Sequence, residues 1–271
     1  MKELTMNNLH RELAPISSAA WADMADEARR TFTARVAARR VVDMPDPAGA
    51  EFSALGTGHV SDLAADTPGI QALQRRVVRV VELRAPFTVR RADVDAVERG
   101  ATDPDWQPVK DAAVALASAE DRAVFYGLPA ADIQGIAPAS DNDPVAAPQD
   151  VREFPDAVAR AKTELRLAGV AGPYNLLLPA ELYTEVTETT DHGYPVHEHI
   201  TRMLGDGKII WAPALDDALL VSARGGDYEL HLGLDAAIGY SSHTAETVDL
   251  YLRETLTFRV NTSEASVVIT R

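Results

Sequence analysis

The chain contains no cysteine. This excludes disulfides, thiolate metal ligands and cysteine nucleophiles, and it fits a reducing compartment. No apolar run reaches the roughly eighteen residues of a membrane-spanning helix, and the first residues lack the basic stretch and apolar core of a secretion signal. Positive charge is in short supply: 26 Lys and Arg stand against 41 Asp and Glu, a net charge of −15 over 271 residues. Nucleic-acid binding relies on Lys and Arg neutralising phosphates, so this balance argues against a nucleic-acid partner. The local run "RRTFTARVAARR", Arg29–Arg40, reads as the solvated basic face of a helix. The expectation is a soluble, cytoplasmic protein of two ordinary domains or one elaborate one.

Catalytic signatures are missing too. There is no G-x-S-x-G elbow and no H-E-x-x-H helix, and "RGGDY" and "LGTGHV" lack the lysine and strand-to-helix context of a phosphate loop. One stretch does concentrate chemistry. "DHGYPVHEH", Asp191–His199, holds three of the seven histidines. A catalytic zinc or iron site needs three protein ligands converging on one point with a fourth position open. His192, His197 and His199, near Asp191 and Glu198, supply those residue types, so a soluble metal-dependent hydrolase is the alternative reading. Against it, a helix is expected to start after Pro195, and His197 and His199, two residues apart on a helix, do not face each other.

The pattern along the chain is mixed α and β. Residues 1–5, ahead of Met6, read as a tag or an alternative start. Trp21, Met24, Ala28, Phe32 and Val36 fall on one helical face, with Ser17 and Ser18 as caps. From Glu51 to Leu83 the chain is rich in small and polar residues and closes on "RRVVRVVELRAPF". A ribbon of this kind has too little apolar surface to stand alone and needs something to lie against, such as another chain. A helix is expected next, capped by Thr102 or Asp103, striped by Val109, Ala112, Leu116, Ala119 and Ala123, and stopped at Gly127. Helices and short strands alternate from Pro155 to Arg224, and strands dominate thereafter.

Several stretches, taken together, resemble the encapsulins, bacterial shell proteins related in fold to the major capsid proteins of tailed phages. They are "NNLHRELAPI", "AWADMADEARRTF", "RRVVD", "LRAPFTVRRADVDAVERG", "EDRAVFYG", "AGVAGPYNLLL", "ETTDHGYP", "DGKIIWAP", "RGGDYELHLGLDAAIGY" and "LYLRETLTFRV". They run in family order over nearly the whole chain, and the ordered set is what makes the match specific.

The resemblance implies an α+β, phage major-capsid-like fold. A peripheral domain is expected from residues 1–45, 83–127 and 226–271, an extended loop from 46–82 and an axial domain from 128–225. It implies a non-enzymatic shell, with no cofactor or metal and about sixty chains in the smallest icosahedral form. The expected partners are other copies of the chain and a cargo enzyme, either a dye-decolourising peroxidase or a ferritin-like iron oxidase, held by its C-terminal targeting peptide. By resemblance the peptide lies on Phe32, Val36, Arg39, Asp43, Leu230, Leu232 and Ile238. Asp191, His192, Gly193 and Tyr194 would ring a five-fold pore. Where some relatives stack a flavin on a tryptophan this chain has Ala92, so flavin is not expected.

Overall fold

The computed structural model describes residues 8–271, and the expectation for residues 1–5 lies outside them. The chain begins with helix α1 (Ser18–Arg35), strands β1 (Ala54–Leu63), β2 (Ala72–Arg79) and β3 (Val81–Arg90), and helices α2 (Arg91–Glu98) and α3 (Gln107–Phe125). The short strands β4 (Gly127–Leu128) and β5 (Ile133–Gln134), helix α4 (Ile136–Ala139) and strand β6 (Val145–Ala146) lead to α5 (Phe154–Leu167). Then come β7 (Tyr174–Leu178), α6 (Ala180–Glu188), β8 (Thr190–Asp191), β9 (Tyr194–Pro195), α7 (Val196–Leu204), β10 (Ile209–Trp211) and β11 (Ala218–Ser222). The last strands are the long β12 (Tyr228–His243) and β13 (Thr247–Val260), and β14 (Ser266–Thr270).

Contacts divide the chain into two compact units. The first holds the chain up to Val36, Glu82–Glu120 and Leu234–Thr255. Its core joins the apolar stripes of α1 and α3 to strand residues such as Phe87, Val89, Ile238 and Leu250. Ser17 Oγ accepts the Ala20 N–H and caps α1, satisfying one of the free donors of its first turn. Met24, Ala28 and Phe32 are buried as the periodicity predicts, and Trp21 is half-buried beneath the Arg11 guanidinium. Helix α3 starts later than the caps Thr102 and Asp103 predict. Asp103 precedes Pro104, whose ring disfavours helical geometry at the residue before it. The first turn instead begins at Gln107, whose N–H is accepted by Asp105 Oδ1 at 3.1 Å.

The second unit holds Ala37–Val81, Asp121–Gly233 and Leu256–Arg271. A five-stranded sheet in the order β10-β7-β11-β14-β6 forms its centre. All five residues of β7 are buried, which explains why "YNLLL" shows no regular alternation; Asn175 Oδ1 is satisfied by the Lys208 N–H. Phe154, Val158 and Leu165 of α5, Leu182 and Val186 of α6, and Val196, Ile200 and Leu204 of α7 pack into the same core as Leu176 and Leu178. β14 pairs antiparallel with β11 and parallel with β6, and it buries Val267 and Ile269 in this second core.

Strands β1 and β2 form an antiparallel ribbon, with Ala54 opposite Arg79, Leu63 opposite Ala72 and an irregularity between Gly56 and Val60. Val60, Leu63 and Leu73 on its strands are each about half exposed, as is Val77, and Ile70 between the strands is 61% exposed. Apolar side chains of this size gain roughly 1.5–3 kcal/mol each on full burial, and here much of that gain is unrealised within one chain.

Candidate functional site

The "DHGYP" stretch folds into a two-residue hairpin. Thr190 pairs with Pro195 and Asp191 with Tyr194, leaving His192 and Gly193 as the turn. Both have positive φ, 46° and 83°, the combination a tight type I′ hairpin turn requires. Glycine meets this requirement without steric cost, and histidine is among the few side chains enriched there. The His192 side chain is 98% exposed, with Nε2 3.8 Å from Asp191 Oδ1. Tyr194 is anchored from behind, with the Arg202 guanidinium 5.1 Å above its ring.

This geometry removes the hydrolase reading. Helix α7 turns Val196, Ile200 and Leu204 into the core, so His197 and His199 leave the helix in other directions. His197 Nε2 lies 3.5 Å from Glu198 Oε1, His199 is exposed, and His192 stands at the hairpin tip. Among the described residues no group of three His, Asp or Glu side chains is disposed to hold a metal ion.

The residues expected to hold a cargo peptide divide between the two units. In the first, Phe32, Val36 and Ile238 share one core cluster and are all buried. In the second, Leu230 and Leu232 are buried on β12, Arg39 is half-buried in a 3-10 turn, and Asp43 is exposed. The segment from Asp43 to Gly49 follows the edge of β12. Asp43 N–H donates to Tyr228 O, Leu230 N–H donates to Asp43 O, and Ala48 and Gly49 donate to Leu232 and Gly233. The Asp43 carboxylate accepts the Gly226 N–H at 2.5 Å.

Two groups beside these residues gave no sequence signal. One is Asp121, whose buried carboxylate accepts the N–H groups of Ala37 and Ala38 just ahead of Arg39. The other is Glu229. Its carboxylate meets His231 Nε2 at 2.9 Å and accepts from Arg259 at 2.7 Å and Asn261 at 3.1 Å. The hydrogen bond with His231, helped by those from Asn261 and Arg259, holds the Glu229 carboxyl below the usual glutamate range although burial opposes it. Nothing in the local sequence "YELHLG" signals partners some thirty residues downstream. Their meeting follows from the pairing of two long strands, which only the fold supplies.

Comparison with known proteins matches these features to one family. A family model described as "Encapsulating protein for peroxidase" matches residues 6–257. A type 1 encapsulin shell protein of Brevibacterium linens is 59% identical over 262 residues, 97% of this chain and 98% of the relative. In structure, the virus-like particle of Pyrococcus furiosus superposes with a TM-score of 0.65 at 13% identity, covering 92% of this chain and 98% of that one. The capsid of Myoviridae phage XM1 gives 0.56 at 11% identity, covering 86% and 90%. At these identities the two structures establish the fold, an α+β fold of the phage-capsid kind. The chain belongs to the encapsulin shell protein family.

Proposed function

We propose that copies of this chain close into an icosahedral shell, about sixty in the smallest form, and that the shell encloses an enzyme. The observation that carries the assembly is the β1–β2 ribbon, an element too thin to be stable alone and with apolar side chains half exposed along it. A second copy of the chain is the surface that completes its burial. Each copy brings a charge of −15, and screening over about 8 Å leaves repulsion only between near neighbours, so extensive apolar interfaces must offset it.

The cargo reading rests on family membership and on the β12 region. A dye-decolourising peroxidase, in keeping with the family's description, or a ferritin-like iron oxidase is held by a C-terminal peptide lying over Phe32, Val36, Arg39, Asp43, Leu230, Leu232 and Ile238. In the second unit, half-buried Arg39 and exposed Asp43 supply the accessible polar contacts. Small substrates enter through a five-fold pore lined by Asp191, His192, Gly193 and Tyr194. Exposure of the hairpin tip and its lack of packing support that role. The compartment lies in the cytoplasm, where a chain without cysteine suits the reducing conditions. Co-expression with each candidate cargo, with and without its C-terminal tail, tests this. Co-purification that depends on the tail is the expected result, and tail-independent or absent capture would refute the peptide mechanism.

A further inference from the structure

In the first unit five side chains close a ring. Arg253, 2% exposed, donates from Nη2 to Asn8 Oδ1 at 2.5 Å and from Nη1 to Glu82 Oε2 at 3.4 Å. The other oxygen of Glu82 accepts from Arg84 Nε at 2.5 Å. The Arg84 guanidinium lies 4.6 Å above the ring of Tyr251. The Tyr251 hydroxyl donates to the backbone carbonyl of Asn8 at 3.3 Å and closes the circuit. The path is made possible at Gly239. A Cβ there would lie 2.3–2.6 Å from the Tyr251 ring and hydroxyl, so the phenol crosses β12 only where that strand has no side chain.

Beyond the ring the N-terminal segment follows the edge of β12. Leu9 O accepts the Tyr240 N–H at 2.8 Å, and Arg11 Nε donates to Ile238 O at 2.6 Å. We infer that Asn8–Arg11 is a strap on the edge of β12 whose docking orders the root of β3, so that the strap and Glu82–Ala85 lock together. The coupling is physical. Arg253 is a buried charge that must be satisfied from both sides, by Asn8 and by Glu82. Removing either partner leaves the cation under-satisfied and weakens its hold on the other. This coupling does not rest on the shell reading.

Hydrogen–deuterium exchange on the full chain tests it. The Tyr240 amide reports strap docking because its acceptor is Leu9, and a peptide spanning Glu82–Ala85 reports the root of β3. Asn8→Ala should speed exchange at both sites by about tenfold, the scale of one hydrogen bond to a charged group. Reciprocity requires Glu82→Gln to speed exchange at Tyr240. Exchange that rises only at the mutated end, in either variant, would overturn the inference. Light scattering on the same samples keeps the two readings apart. A wild-type chain that forms no particle would defeat the shell reading and leave the exchange result to decide the coupling.

Discussion

The carboxylate of Asp121 accepts the backbone N–H of Ala37 through both oxygens at 3.0 Å, and through Oδ1 it takes the Ala38 N–H at 2.8 Å as well. The residues are 84 positions apart in sequence. A side chain of helix α3 therefore fixes the turn from which Arg39 and Asp43 emerge. All three residues are buried, so the bonds exclude water, and their loss leaves the two N–H groups without a protein acceptor. Asp121→Ala should cost about 2–3 kcal/mol and lower the thermal midpoint of the free chain by several degrees. Asp121→Asn, which keeps one acceptor oxygen, should cost less. Equal midpoints for Asp121→Ala and the wild type would remove the anchoring role.

Phe32 packs in the first core with Met24 and Val36. Truncating a buried phenylalanine costs about 3–5 kcal/mol, so Phe32→Ala should weaken the fold itself as well as the proposed cargo contact. Exposed Asp43 and half-buried Arg39 separate the two effects. Arg39→Ala should reduce capture of tail-bearing cargo in co-expression while the particle's melting temperature stays within about 2 °C of wild type. Unchanged capture would place the peptide elsewhere.

The stripe of α1, the fully buried β7 and the helix after Pro195 were legible because each rests on local chemistry: a 3.6-residue period, burial on both faces, and a ring that cannot continue a helix. The ribbon was legible through what it lacks, enough apolar surface to stand alone. Long-range polar partners were not. Asp121 looks like any acidic residue in "AEDRAV", and Glu229 like a surface strand residue, because their partners arrive through tertiary pairing. In the histidine cluster the two-residue spacing of His197 and His199 on a helix already argued against convergence, and the two-residue turn carrying His192 completes the separation of the three rings.

Glu229 gives a pH prediction. Its folded pKa lies below its ordinary value, so it contributes stability above the unfolded pKa of about 4.5 and loses it as pH falls through the folded value. Acid unfolding followed by circular dichroism should therefore begin at higher pH for Glu229→Gln than for the wild type, and the two curves should converge at the lowest pH. Identical acid midpoints would show that the cluster with His231 and Arg259 adds no pH-dependent stability.

His192 stands almost fully exposed at its hairpin tip. His192→Ala should leave particle yield and cargo loading unchanged, since the tip carries little packing. If the tip lines a pore, the substitution removes an imidazole from its lining and should change ion entry across the pH range. Iron uptake or peroxide turnover by enclosed cargo, measured from pH 5 to 8, reads this directly. An unaltered pH profile would remove His192 from the pore.

The mass of the purified, cargo-free particle is the most direct test of shell formation. About sixty chains of 29.2 kDa give about 1.8 MDa, and a larger icosahedral shell gives a correspondingly larger value. Mass photometry with electron microscopy should find closed particles of that size or above, with five-fold vertices. A stable species with the mass of one or two chains, at micromolar concentration and physiological salt, would contradict the shell.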